Sequence, residues 1–576
     1  MVYLNIFMWL LLLSIFFFSP KIAVATGEFN TTQSITYTVN QQGLASVHQQ
    51  VSLTNKYSEI YAKEYQINLS GTNIQNITGS DSSGDIINRI DRGISQTTIN
   101  LKFPKPAIGQ GQIKDFSLDY SLTDFAHKKG NTWEIQFPTF SASENNQISI
   151  ILKVPLSFGD LSFSSVPIYS THNLGSTTQI NFTQTQADKK ILLVFGNHQL
   201  FDFTLRYYLH NPESEAVNAE IPIPPDTNGQ TITLKSLDPS PLSIRVDTDG
   251  NWLALYPLKK LQTIDITVAG QARIHPPVPI EAKPIADEYL SAQKYWPVSD
   301  PQIVAISQPL GSPKLIYRYV VDTLNYDYDH MNSAVRQGAL GAINSPNSAL
   351  CTEFTDLFIT LARSRSISAR EIEGFAFSND SKIKPVSNNT DILHAWPEYF
   401  DNITQQWIEI DPTWEKTTNG IDYFTDLDLN HLTFVIHGLH SDNPAPPGSY
   451  KQNPADKSVF VDFASEELTP ITLSPQISLH GSSLTVRNPN LFSLHNLNLA
   501  VSGANFNHLI ESLPPLSSVD ITLPSLPFFT SILPKSRNYQ ISLTLKEIQN
   551  PVSYQLLNKL YYQNLSICIG AIIFLL

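Results

Sequence analysis

The sequence predicts a multidomain, mainly β chain in which β-sandwich modules flank a single α+β domain. Three observations lead there. From Thr31 to about Arg273, short runs alternate polar and apolar residues and are cut by Gly, Pro and Asp. After Cys351 the period changes to that of an amphipathic helix, followed by strands. From about Phe460 to Leu545 the alternating pattern returns. The length agrees: 576 residues exceed one domain, and roughly three to five units are expected.

Taken in order, residues 1–25 read as a signal peptide. An apolar run, Ile6 to Phe18, precedes Pro20 and the small-x-small stretch Ala23-Val24-Ala25, which marks cleavage after Ala25. No Lys or Arg precedes the run, so an uncleaved anchor is the alternative. A first β-sandwich-like module is expected over 26–185, from strands such as Ser34–Val39, Val47–Leu53 and Ile148–Val154 with a turn at Gly43. A second is expected over 186–275, from Phe203–Leu209 and Thr231–Leu234, with breakers at Pro224-Pro225-Asp226 and Asp247-Thr248-Asp249-Gly250. Prolines 276, 277, 279 and 284 form a linker.

The α+β domain is expected over 286–445. Ala286–Trp296 and Ile303–Leu310 suit short helices and Lys314–Thr323 a longer one. After Cys351, Phe354, Leu357, Phe358 and Leu361 fall on one helix face. Strands follow at Arg370–Phe377, His394–Phe400 and Gln405–Asp411, with the polar insert Ser378–Asp391 as a mobile loop. A third β-sandwich is expected over 460–548. The apolar tail 565–576 reads as a membrane anchor, short of the roughly 20 residues of a spanning helix, with a buried strand as the alternative.

Composition narrows the function. Hydrophobic residues at 41% and aromatics at 10% can fill real cores. The net charge of −14 is dispersed along the chain, which argues against nucleic acid or anionic lipid as a partner. Cys351 and Cys568 are the two cysteines, and the second lies in the tail, so no disulfide can cross-link the folded region. A large exported region without disulfides points to a bacterium or archaeon. Asn-x-Ser/Thr sequons such as those at Asn68, Asn76, Asn181 and Asn402 occur about as often as chance supplies in so Asn-rich a chain.

A lone cysteine is ordinarily a small buried hydrophobe. Here its setting points to a nucleophile. With Ser348 as N-cap, Cys351 falls in the first helical turn, where the helix dipole favours a thiolate and first-turn amides can serve an oxyanion. If a hairpin turns at Asp401-Asn402-Ile403-Thr404, Phe400 pairs with Gln405, and His394 then faces Asp411 across one side of the ribbon. A slip of one residue would send them to opposite faces. Cys351, His394 and Asp411 are then nucleophile, general base and orienter.

The text around these positions resembles the transglutaminase-like superfamily. It runs Cys351-Thr352-Glu353-Phe354 to Leu361-Ala362-Arg363, Ile367 to Gly374, His394-Ala395-Trp396-Pro397-Glu398, and Trp407 to Thr413. His394 follows Cys351 by 43 residues and Asp411 follows His394 by 17, spacings that look like that family. The resemblance implies a papain-like core over about 286–445, with Cys351, His394 and Asp411 as catalytic triad. It implies attack on peptide or amide bonds through a thioester, resolved by water or by an amine. Many members carry Gly or Trp beside the nucleophile, where this chain has Ala349-Leu350.

Other groups read more blandly. Asp422, Asp426 and Asp428 lack a calcium-loop pattern and read as solvated carboxylates on a turn. His431, His437 and His440 fit no zinc spacing and read as structural or surface residues. Trp396, Trp407 and Trp414 are expected to fill core around the dyad. The resulting expectation is an exported, membrane-tethered cysteine protease, amidase or acyltransferase at the extracellular face of the membrane. It would act on a protein or peptide substrate with no cofactor and no metal. The alternative is a catalytically silent adhesion or scaffold protein that uses the same domain for binding.

Overall fold

The computed structural model describes residues 27–556, except 71–73, 95, 139–145, 183–189, 279–286, 332–334, 387–390, 392, 481–482, 502–505, 524–538 and 545–551. The expected signal segment 1–25 and the tail 565–576 with Cys568 lie outside the described residues. Among the described residues, no helix is long and apolar enough to cross a membrane.

Two compact units divide the chain. The first comprises residues up to 126, 138–156 and 168–189. Its larger sheet has eight strands centred on Phe29–Val39 and Ala45–Asn55, which pair antiparallel along their whole lengths. Phe29–Val39 also pairs with Asn146–Pro155, in parallel. A three-stranded sheet of Glu64–Ser70, Gln96–Lys102 and Ile87–Arg92 packs on it, and Tyr65 meets Phe116 edge-on at 5.4 Å in the layer between. Alternation in the sequence is realised as burial: Ile35, Val51, Leu118, Ile150 and Leu152 point inward and are fully buried.

The second unit holds residues 127–137, 157–167 and everything from 190. The sequence suggests a single cut near 184–189, but two short stretches upstream of it belong here. The physical reason is pairing: Thr132–Gln136 and Leu161–Ser164 both bond to Leu192–Phe195. A sandwich follows. One sheet orders Gln230–Asp238, Thr263–Ile274, Gln199–His210 and Val459–Phe463, and the other Val217–Ile223, Trp252–Leu258 and Ser243–Val246. The strand Val459–Phe463 returns from beyond the α+β domain to bond Gln199–His210. Farther on, Leu484, Val486 and Ile521 of one small sheet meet Leu494, Leu497, Leu499 and Ile510 of another, giving the last β-sandwich its core.

Within the α+β domain the helices are α1 (Pro301–Ser307), α2 (Pro313–Thr323), α3 (Gly338–Asn344), α4 (Cys351–Ser364) and α5 (Pro412–Thr417). The strands are β1 (Ala369–Ala376), β2 (His394–Asp401), β3 (Gln406–Glu409) and β4 (His431–His437), in sheet order β3-β2-β1-β4, all antiparallel. Helices α1 and α2 each start at a proline behind a capping side chain, Asp300 and Ser312. The expected helix over 286–296 shrinks to one 3-10 turn, Asp287–Leu290. Phe354, Leu357, Phe358 and Leu361 of α4 are fully buried against Ile316, Tyr317, Val320 and Ile410, as their spacing requires. Multidomain β architecture around an α+β core is therefore the fold.

Candidate active site

Cys351 is the first residue of α4 and is partly exposed. The N-cap is Leu350, in extended conformation, rather than the expected Ser348, whose amide instead closes a turn on Ser345. Leu350 has no side-chain oxygen to offer, and Glu353 compensates. Its carboxylate accepts from the amide of Leu350 at 3.0 Å and from that of Gln337 at 2.8 Å, pinning the helix start to the preceding segment.

His394 opens β2 and is 2% exposed. Its Nε2 donates to Asp411 Oδ2 at 3.0 Å. The pair forms, but not by the expected cross-strand register. The hairpin turns one residue later, pairing Asp401 with Gln406 and Glu398 with Glu409, and the ladder ends at Glu409. Asp401 stays in the strand because its carboxylate caps the turn, accepting from the amides of Ile403 and Thr404, while Gln405 takes up a left-handed backbone. Asp411 lies beyond the strand as the N-cap of α5, where Oδ1 accepts from the Trp414 amide at 3.0 Å. Oδ1 thus serves the helix and Oδ2 the imidazole.

Burial disfavours charge on His394, but the Asp411 carboxylate outweighs it, and with a smaller contribution from Cys351 the imidazole is raised to about 9. Burial likewise pushes Asp411 up, and the two imidazoles of His394 and His431 pull it down to about 2. Among the described residues His394 Nδ1 is buried without a hydrogen-bond partner, and Cys351 adds to Asp411 in raising the ring. The imidazole stacks between Trp396 and Trp414, at centroid distances of 5.8 and 5.2 Å. Trp396 donates to Glu409 at 2.7 Å and Trp414 to the Pro385 carbonyl at 3.2 Å, so both rings are fixed. Trp407 stands apart, under the guanidinium of Arg370 at 4.1 Å.

Gly374 on β1 explains itself here. A Cβ at that position would lie 2.1 Å from the Leu432 carbonyl and 2.9 Å from the Trp396 ring. Only glycine lets β1 pass between β4 and the tryptophan that backs His394.

Three groups escape a reading of the sequence. His431, at the start of β4, is 5% exposed and sits beside the pair, with Nε2 3.5 Å from Asp411 Oδ2 and Nδ1 3.2 Å from Asp428 Oδ1. Asp428 is 2% exposed rather than solvated, because Lys384 meets it at 2.9 Å. Lys384 comes from the polar insert expected to be mobile. Its described part is held by that ion pair, by Tyr328 donating to the Lys382 carbonyl, and by Trp414. The available signal was the run Leu432 to Ile436 between two histidines, a buried strand that carries its flanking imidazoles inside. His437 is buried as well, donating through Nε2 to the Pro444 carbonyl at 2.7 Å.

Among the described residues, two groups bring three ligand-type atoms within 4.8 Å: His394, Asp411 and His431, and Glu371, Glu373 and His437. In the second, Arg336 already neutralises the carboxylates, at 2.9 Å from Glu371 and 3.6 Å from Glu373.

Residues 298–412 match the family model described as the transglutaminase-like superfamily, a span that runs from before α1 to the start of α5. No curated protein matches the chain at a significant level. Similar solved structures include a protein of Cytophaga hutchinsonii described as a candidate cysteine protease, 16% identical, with a TM-score of 0.32 over 48% of this chain and 95% of that one. Another is the periplasmic domain of TgpA from Pseudomonas aeruginosa, 13% identical, with a TM-score of 0.23 over 39% and 91%. A third is an M1 zinc metallopeptidase of Deinococcus radiodurans, 11% identical, with a TM-score of 0.21 over 32% and 44%. At these scores none of the three bears on what the chain does.

Proposed function

Starting from the transglutaminase-like domain that this chain carries, we propose a thiol enzyme that acts on amide bonds of protein or peptide substrates. Cys351 is the nucleophile, His394 the base and then the acid, and Asp411 the orienter. One observation carries the reading. Asp411 ties down Nε2 of His394 and leaves Nδ1, buried without another partner, for the thiol at the helix start.

The chemistry follows from this assignment. His394 takes the Cys351 proton, and the thiolate forms a C–S bond to the carbonyl carbon while the electron pair moves to oxygen. The first-turn amides of Cys351 and Thr352, which a helix leaves without intrahelical acceptors, are the donors at hand for that oxygen. Collapse breaks the C–N bond, and His394 protonates the departing amine. Water then releases the thioester as an acid, or a second amine takes the acyl group. Hydrolysis is the branch we favour. The apolar run at Ile6–Phe18 and the tail 565–576 motivate placing the enzyme outside the cell and tethered to its membrane, on cell-surface protein.

The test is turnover of dye-labelled casein by the full chain, scored for cleavage and for incorporation of a fluorescent primary amine. Cys351→Ala and His394→Ala are each expected to lower turnover by about 10³-fold or more. Wild-type turnover that survives Cys351→Ala overturns the assignment. Amine incorporation in place of cleavage would reassign the branch and leave the nucleophile standing.

A further inference from the structure

We propose that His431 is a positioning residue for this reaction, a buried second imidazolium that steers the Asp411 carboxylate and sets the pH at which Cys351 becomes reactive. The proposal rests on the reading of Cys351, His394 and Asp411 just given.

The geometry supplies the argument. Nδ1 of His431 lies 3.2 Å from Asp428 Oδ1, and Nε2 lies 3.5 Å from Asp411 Oδ2 with no closer partner. A neutral imidazole donates from one nitrogen only. Carboxylate oxygens face both nitrogens, so only the doubly protonated ring answers both. Trp414 and Trp396 pack against it at centroid distances of 4.5 and 4.9 Å, and the residue is 5% exposed.

The groups facing His431 come from every neighbouring element. Asp428 stands on its own loop, Asp411 at the cap of α5, Glu409 on β3 and His394 on β2, the last at a ring distance of 5.9 Å. Lys384 stands behind Asp428 at 2.9 Å. Charge therefore alternates along one row, Lys384, Asp428, His431, Asp411 and His394, which ends at the thiol of Cys351. Oδ1 of Asp411 is committed to the Trp414 amide, so both imidazoles draw on Oδ2. The cation at 431 thus orients that oxygen. It also adds positive potential that favours an ionised thiol and limits how firmly His394 holds its proton.

The experiment uses the full chain, alkylated with iodoacetamide across a pH series, with the rate at Cys351 read by peptide mass spectrometry. In His431→Gln and His431→Phe the pH midpoint of alkylation is expected to rise by about one unit, because a nearby positive charge is gone. Thermal melting of each variant shows whether it is folded. A folded variant of either kind whose midpoint equals the parent's overturns the proposal, and a fall in melting temperature alone would make His431 a packing residue. In the unmutated protein, ring nitrogen shifts of labelled histidine must show His431 doubly protonated at neutral pH, and a neutral tautomer overturns the proposal independently of the variants. Zinc that blocks alkylation in the parent but not in His431→Gln would make His431 a metal ligand, and also overturns it. A parent midpoint indifferent to His394→Ala sinks the underlying reading of the site. A midpoint that responds to His394→Ala but to neither His431 variant sinks this proposal alone.

Discussion

At position 411 a single carboxylate serves a helix cap, a histidine at 3.0 Å and a second histidine at 3.5 Å. That sharing makes the pair a reporter of pH. His394, held at about 9 against an ordinary 6.5, contributes stability that is complete below pH 6.5 and lost as pH rises through about 9. Asp411, held at about 2 against 3.8, contributes stability that is complete above pH 3.8 and lost as pH falls through about 2. The melting temperature of Asp411→Asn should therefore lie farthest below the parent's between those ordinary values and close on it as pH passes about 9. A deficit that is constant or widens on the alkaline side contradicts the pairing. The sequence exposes Cys351, His394 and Asp411 because type, order and spacing are all local text. His431 and Lys384 stay hidden, since each earns its place only through Asp428, and nothing in a string of residues says that Asp428 is buried.

At the scale of elements, α4 carries the thiol and Glu353 holds its first turn. Replacing Glu353 by Gln removes a charged acceptor from two backbone amides and should cost about 1–2 kcal/mol in urea unfolding, with slower alkylation of Cys351. An unchanged urea midpoint would deny Glu353 that role. Gly374→Ala sets a methyl group against the Leu432 carbonyl and should cost about 3 kcal/mol or more, since backbone cannot move aside cheaply. A variant that melts with the parent would show that β1 and β4 can part. Helix α4 was legible because Phe354, Leu357, Phe358 and Leu361 repeat at its period. The hairpin was legible only in part. A stretch of five residues, Asp401 to Gln405, four of them polar, announces a turn, but which four form it depends on the Asp401 cap and on the left-handed Gln405. Turning one residue later shifts every pair by two positions and the ladder ends at Glu409, so His394 and Asp411 meet through the cap of α5 and not across the ribbon.

At the scale of the molecule, the α+β domain does not own its core. Phe375, Leu432 and Phe434 share one apolar cluster with Phe201, Leu205 and Val459 of the adjoining sandwich. Trp414 and Tyr423 share another with Phe163, Leu192 and Val194. Residues 286–445 expressed alone should therefore lose near-ultraviolet dichroism and bind a hydrophobic dye, the marks of a collapsed chain without fixed packing. A sharp, cooperative melt of that fragment would contradict the shared core. Pattern reading could not foresee this, because a strand's period shows which face is buried and not what buries it. The strand Val459–Phe463 completes the picture, since it forms the rim of its sheet and its first side chain plugs the common core. The chain just beyond it stays tied to the same sheet, Gln271 donating to the Glu466 carbonyl at 3.0 Å and Arg273 meeting Glu467 at 2.7 Å. The thiol's domain is thus clasped on its downstream side, because the chain leaving it is sewn into the sandwich sheet before it runs on.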